Sequence, residues 1–85
     1  MTEAMILIDA ASATIEKRNI AFSAMVDDDT LKFAVSIADF QLFGVENAKA
    51  DPIGAVTAIS RNLEDLIQVK ARKNELLPTN RLAPL

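Results

Sequence analysis

Residues 20–37 read IAFSAMVDDDTLKFAVSI, and large apolar side chains alternate with smaller or more polar ones on both sides of an acidic break. A period of two is typical of half-buried β-strands. The pattern therefore predicts a β-hairpin with one apolar face. The residues assigned to that face are Ile20, Phe22, Ala24 and Val26 before the break, and Leu31, Phe33, Val35 and Ile37 after it.

The break at Asp27–Thr30 sets the expected strand register. A turn centred on Asp28 and Asp29 and a loop of all four residues give the same pairing, with Val26 opposite Leu31. The same register pairs Ala24 with Phe33, Phe22 with Val35, and Ile20 with Ile37. A slip of one residue would turn one strand's apolar set to the wrong face, so we expect the faces to be strongly specified.

The segment before the hairpin predicts a further strand. Ala4–Ile8 is a continuous apolar run that ends at Asp9, and it is too short for a helix. Ala10–Arg18 is small and polar apart from Ile15, and we interpret it as a connection that includes at most a turn of helix.

Helix signals follow the hairpin. Ser36 and Asp39 have the spacing of a capping box, which predicts a short helix over Ala38–Phe43 that ends at Gly44. Val45–Ala50 is interpreted as a linker. Asp51 before Pro52 is a strong helix start, and a long amphipathic helix is expected to reach Asn74. Its apolar stripe is Ile53, Val56, Ile59, Leu63, Leu66 and Ile67.

The C-terminal residues Asn80–Leu85 predict a last short strand, and Pro84 would confine that strand to a sheet edge. The expected fold is therefore α+β: a two-layer single domain spanning residues 1–85. Its sheet would be mainly antiparallel and three- to four-stranded, with one short and one long helix packed on one face.

The composition bears on chemistry, because His, Cys, Tyr and Trp are absent from all 85 residues. Their absence removes the usual general base, the thiolate nucleophile and the imidazole metal ligands. Asp27, Asp28 and Asp29 lack the alternating spacing of a calcium loop, so a solvated turn is the favoured interpretation. We predict a non-enzymatic protein with no cofactor and no metal site.

The expected location is the cytoplasm. No stretch approaches the roughly 20 apolar residues that a membrane span needs. The start Met1-Thr2-Glu3 carries acid where a secretory signal carries base, and the lack of cysteine fits a reducing compartment. We predict no membrane partner.

The order of these features resembles a small bacterial family known as domain of unknown function 1488. The resemblance rests on the strand Lys17–Val26, the strand Leu31–Ser36 running into a helix closed by Phe43-Gly44, and the Asp51-Pro52 helix that contains Ser60-Arg61-Asn62-Leu63-Glu64. It spans nearly the whole chain. It implies a compact sheet-and-helix domain and no activity, because none is established for the family.

The second face of the hairpin is unusual for a solvent-facing surface, because it is small and nearly uncharged. Such a face is able to pack closely against another protein or a second copy of the chain. We predict an interaction or accessory module that acts as a homodimer; exposed but inert small residues are the simpler interpretation. The face consists of Ala21, Ser23, Met25, Lys32, Ala34 and Ser36.

A basic cluster near the C-terminus supports a different function class. Lys70, Arg72, Lys73 and Arg81 are candidates for contact with an anion, which would make the chain a small nucleic-acid-associated regulator. This alternative is less favoured, because the chain has net charge −3 and no aromatic residues lie among the bases. An enzyme that uses Asp, Lys or Ser is the third and least favoured class.

Overall fold

A computed structural model describes residues 3–83, and it has an α+β fold, as the sequence predicts. Its four strands form one mixed sheet in the order β1-β2-β3-β4, in which β1, β2 and β3 are antiparallel and β4 is parallel to β3. The elements are β1 (Ile6–Glu16), β2 (Asn19–Val26), β3 (Asp29–Ser36), α1 (Ile37–Leu42), α2 (Pro52–Ala58), α3 (Ser60–Arg72) and β4 (Thr79–Leu82).

The β2–β3 hairpin is present, but its predicted register is wrong by two residues. Val26 lies opposite Asp29 and Phe22 lies opposite Phe33. The reason is the turn: Asp27 has φ 56°, a left-handed conformation that Asp tolerates. A two-residue turn therefore closes directly after Val26. Because the shift is an even number of residues, every side chain that lies within the two strands keeps its predicted face.

The corrected register also changes the pairs further along the hairpin. Ala24 lies opposite Leu31 and Ile20 opposite Val35, while Ile37 leaves the sheet as the first residue of α1. Phe22 and Phe33 stack with ring centroids 5.9 Å apart and an interplanar angle of 23°. Both rings are almost fully buried, so the hairpin places its largest apolar pair at the centre of the core.

The first strand is longer than the sequence predicts. Ala10–Arg18 is not a connection: β1 continues through it to Glu16, and Lys17, with φ 60°, turns the chain into β2. The regular pairing is interrupted between Asp9 and Thr14, which lie opposite Ser23 and Ala21. The small residues of this bulge interrupt the alternation of apolar and polar side chains along the strand. The sequence pattern therefore does not indicate a strand there.

The signals that begin and end the helices are largely confirmed. The Ser36 hydroxyl accepts the Asp39 N–H at 3.0 Å, and Gly44, with φ 88°, follows α1. Asp51 caps α2 by accepting the Gly54 N–H at 3.0 Å. A Cβ atom added to Gly54 would collide with the Asp51 carboxylate, so a larger residue at 54 would displace the capping side chain from its present position.

The predicted long helix is wrong as a single element. It breaks at Ile59, where φ −116° and ψ 23° leave the helical region, and becomes α2 and α3. Neither proline nor glycine lies at the break, so the local sequence gives no signal for it. Ile59 still donates to the Ala55 carbonyl at 3.3 Å, and Leu63 donates to the Ile59 carbonyl at 2.9 Å. Both helices therefore cover the same side of the sheet.

The core lies between the sheet and the three helices described within residues 3–83. The helices contribute buried Val56, Ile59, Leu63 and Ile67, but Ile53 is 47% exposed and Leu66 is only partly buried, so the predicted stripe is narrower than expected. Within the segment predicted as a linker, Ala48 is fully buried against the same core. This contact fixes the linker to the domain.

The last strand is confirmed in part. β4 covers Thr79–Leu82 at the edge of the sheet, and the predicted residues Pro84 and Leu85 lie outside the described range. Asn80 is buried, and its side-chain amide accepts the Leu77 N–H at 2.9 Å and donates to the Leu77 carbonyl at 2.5 Å. These bonds close the turn that leads into β4.

Between Glu3 and Ala83, none of the helices combines the length and the apolar character that a membrane crossing requires.

We expect Ile67→Ala to lower the free energy of unfolding by about 2–5 kcal/mol, because Ile67 is fully buried against the sheet. Ile53→Ala is the matched control on α2, and we expect it to cost less than about 1 kcal/mol because Ile53 is half exposed. Urea denaturation followed by circular dichroism measures both. Equal losses for the two variants would contradict the assigned core.

Candidate interaction face

The sheet has a second side, here called the outer face, that points away from the helices. Directly paired residues share a face, so the register orders it into rows across the strands. All six residues of the predicted association face lie on it. The rows are Leu7-Met25-Thr30, Asp9-Ser23-Lys32-Thr79, Thr14-Ala21-Ala34-Arg81 and Glu16-Asn19-Ser36.

An ion pair crosses the middle of the outer face. Lys32 Nζ lies 3.0 Å from Glu16 Oε2, and both side chains are about half exposed. Lys32 belongs to the row on one side of Ala21 and Glu16 to the row on the other, so the pair passes over the row of Ala21 and Ala34. This cover accounts for the burial of Ala21, which is only 3% exposed.

The other predicted residues differ in exposure. Met25 and Lys32 are exposed, whereas Ser23, Ala34 and Ser36 are half-buried. The centre of the outer face therefore consists of small side chains, and the Glu16–Lys32 pair crosses above them. Sequence reasoning missed the contribution of Glu16, because the residues after Asp9 were interpreted as a connection and not as part of a strand.

One corner of the outer face is apolar. Met5, Leu7 and Met25 expose 67%, 59% and 42% of their surfaces. Met5 is held in line with β1 because its carbonyl accepts the Asp27 N–H at 2.8 Å and its own N–H donates to Asp27 Oδ1 at 3.0 Å. Sequence reasoning missed Met5 and Leu7, since a continuous apolar run does not show which residues face outward.

A shallow depression of about 330 Å³ lies beside this corner. Leu7 and Met25 contribute its apolar wall, and Asp9, Ser23 and Thr30 contribute polar atoms. The outer face is thus a patch with a concave apolar end. Its wide, shallow form suits contact with another surface better than enclosure of a small molecule.

The bulge in β1 is held by one serine. Ser12 Oγ donates to the Asp9 carbonyl at 2.6 Å and accepts the Ser23 N–H at 2.8 Å. The hydroxyl therefore replaces a missing bond of the β1–β2 ladder. It fixes the position of Asp9 beside Ser23, and it allows the second half of β1 to bring Glu16 back onto the outer face.

The predicted basic cluster is brought together only in part. Lys70, Lys73 and Arg81 line a depression of about 220 Å³ at the end of α3, and Glu75 lines it too. Arg72 lies apart from this group, since its Nη2 donates to Glu3 Oε1 at 2.8 Å. Three of the four predicted anion contacts therefore share one surface, with an acid among them.

Arg72 takes part in a clamp on the N-terminal segment. The Gln68 side chain accepts the Ala4 N–H at 3.0 Å and donates to the Ala4 carbonyl at 2.9 Å. Together with the Arg72–Glu3 pair, these bonds attach the chain before β1 to α3. The clamp holds Met5 at the apolar corner of the outer face.

The acidic turn and the buried polar atoms offer no further site within residues 3–83. Asp27, Asp28 and Asp29 are exposed, and no cluster of three or more side chains suited to a metal ion occurs in this range. The buried side-chain nitrogen and oxygen atoms of the same range all have hydrogen-bond partners.

The comparisons with protein-family models, curated proteins and solved structures found no match for this chain. The resemblance to domain of unknown function 1488 therefore stays a prediction.

We expect Ser12→Ala to lower the free energy of unfolding by about 1–3 kcal/mol, because the partly buried Ser23 N–H would lose its acceptor. Ala11→Ser, at the neighbouring exposed residue of the bulge, is the control and should change stability by less than about 0.5 kcal/mol. Thermal unfolding compares the two variants. A Ser12→Ala protein as stable as the parent would show that the hydroxyl does not hold the bulge.

Proposed function

We propose that this chain is a small, non-enzymatic bacterial protein of the cytoplasm that acts as an interaction or accessory module and works as a homodimer through its outer face. The observation that carries the proposal is the apolar corner of Met5, Leu7 and Met25, which is continuous with a centre of small side chains. Long exposed apolar side chains grouped on one side of a small domain are typical of a contact surface.

The energetics favour covering this corner. Burial of apolar surface is worth about 25 cal/mol per Å², so removal of two methionines and a leucine from water supplies a large part of the free energy that a weak dimer needs. The half-buried side chains of Ser23 and Ala34 at the centre are small and do not hold a partner sheet away. The Glu16–Lys32 pair crosses the same area and covers Ala21.

The residue types also favour binding over catalysis. The chain has no histidine and no cysteine, so an enzyme would need Asp, Lys or Ser in a site that perturbs them. The buried polar residue of the core, Asn80, is already used in the turn at Leu77. Binding to a partner protein does not require a site that perturbs Asp, Lys or Ser.

We expect Ala34→Glu to raise the dissociation constant of the homodimer by about tenfold or more, because it places an extra carboxylate at the centre of the contact. Ala34 lies in one row with Arg81, which is able to offset the new charge. Met25→Glu, between Leu7 and Thr30, is therefore a second variant. Sedimentation velocity over a concentration series measures both.

Ala58→Glu is the matched control, since Ala58 is exposed at the end of α2 on the helical side of the domain. It should dimerise like the parent, and circular dichroism should show the same fold for all three variants. A parent protein that stays monomeric at about 100 μM, a range in which even weak homodimers associate, would contradict the proposed function.

A nucleic-acid-associated regulator remains the second candidate, favoured by the shared surface of Lys70, Lys73 and Arg81. We expect no gel shift of a mixed-sequence duplex at about 50 mM salt, since phosphate-driven binding needs more positive charge than this surface has. A shift that fades steeply with added salt, and that Lys70→Ala with Lys73→Ala removes while Arg61→Ala does not, would favour this candidate instead.

A further inference from the structure

The acids and the bases of the outer face belong to different strands. Its acids, Asp9 and Glu16, both lie on β1, whereas its bases lie on β3, as Lys32, and on β4, as Arg81. Strands are about 4.8 Å apart, so roughly 10 Å separates β1 from β3. β2, which lies between them, presents the uncharged residues Ala21, Ser23 and Met25. The face therefore has acids on β1 and bases on β3 and β4, with the Glu16–Lys32 ion pair between them.

Asp9 and Lys32, the two charged residues of one row, differ in their ion pairs. Asp9 is exposed and forms no ion pair within residues 3–83, while Lys32 is paired with Glu16 and stays half exposed. An ammonium group has three N–H donors, so Lys32 is able to bind a second carboxylate without losing the first. Asp9 and Lys32 flank Ser23 in the same row, which makes them a matched acid and base on opposite sides of β2.

We infer that the outer face pairs with a second copy of itself about a two-fold axis that lies over β2 and parallel to it, so that Asp9 of each protomer meets Lys32 of its partner. The inference rests on the proposed homodimer and specifies its geometry. Rotation about this axis places β1 of one protomer over β3 of the other and keeps each row at its own height. Two equivalent ion pairs between Asp9 and Lys32 then form across the contact.

The opposite choice of axis is electrostatically less favourable. A two-fold axis across the middle of the strands places β1 over β1 and β3 over β3 and reverses the order of the rows, so Asp9 would face Thr14 of the second copy and Lys32 would face Ala34. Neither Asp9 nor Lys32 then meets a charge of opposite sign, and the acids of both copies lie over the same strand. The charge pattern therefore selects between the two ways in which a sheet face can meet its own copy.

The apolar corner gives an independent reason for the same axis. Because rotation about β2 keeps each row at its own height, Met25 meets Met25 of the second copy and Leu7 lies over Thr30. The two apolar corners are then buried together. Rotation about an axis through the middle of the face and across the strands would carry each corner to the opposite end, over Glu16, Asn19 and Ser36.

The area suits a weak dimer. Under an axis over β2, only β1, β2 and β3 overlap the second copy, since the four-residue strand β4 has no counterpart on the other side of β2. Three strands of eight residues give a footprint about 14 Å wide and about 26 Å long, or roughly 370 Å² before the relief of the side chains is counted. A standard interface buries about 800 Å² of accessible surface on each partner, and weak contacts bury less.

Charge exchange between two variants tests the geometry. In Asp9→Lys and in Lys32→Glu, each homodimer has two like-charged contacts, and we expect its dissociation constant to rise about tenfold. In an equimolar mixture, the heterodimer of the two variants has opposite charges at both contacts and should form at near-parent affinity. Native mass spectrometry of the two proteins, one of them isotopically labelled, measures the fraction of heterodimer.

Two controls separate the contact from the fold. The Asp9 carbonyl, and not its side chain, binds Ser12, so Asp9→Lys leaves the bulge intact. Glu16→Gln removes the partner of Lys32 within the chain and should leave the dimer within a few-fold of the parent. Glu46→Lys, an exposed acid on the segment between α1 and α2, makes the same charge change away from the outer face, and it should have no effect.

The outcomes distinguish the geometry from the proposed function. A parent dimer that Ala34→Glu weakens but that shows no preference for the mixed heterodimer would overturn the axis and leave the homodimer in place. An Asp9→Lys protein that dimerises as well as the parent would also overturn the axis, because it is the result expected when Asp9 does not face Lys32. A strictly monomeric parent would overturn both.

Discussion

The stacked rings of Phe22 and Phe33 join the two central strands and fix which side of the sheet is covered. Both rings belong to a face that the helices close with Val56, Ile59, Leu63 and Ile67. Side chains alternate between the two faces along a strand. Burial of one set of residues therefore determines which residues form the opposite face. The residues between the buried ones, Ala21, Ser23 and Met25 on β2, necessarily form the outer face.

The same alternation explains why the outer face could be predicted although the register could not. The register depended on whether the turn contained Asp27 itself, and the sequence DDDT allows more than one turn. A left-handed Asp27 moved the pairing by two residues. An even shift exchanges neighbours within a face and leaves its membership unchanged, so the six predicted residues stay together while their partners across the strands differ.

The structural features that the sequence did not predict depend on contacts between residues far apart in the chain. The bulge around Ser12 depends on a bond to Ser23, and the break at Ile59 has no proline or glycine to indicate it. The basic cluster was predicted from proximity along the chain, yet Arg72 pairs with Glu3, far away in sequence. Caps, by contrast, depend on residues three apart, and the caps at Ser36 and Asp51 were predicted correctly.

The size of the chain connects the fold to its proposed role. A chain of 85 residues buries only about 60–65% of its unfolded surface, and the three helices described between residues 3 and 83 are all used on one side of the sheet. None of them covers Met5, Leu7 or Met25. The bulge in β1 does not bury these residues either; it returns Glu16 to the outer face, where its carboxylate pairs with Lys32. In the homodimer that we propose, a second copy supplies the cover that the short chain lacks.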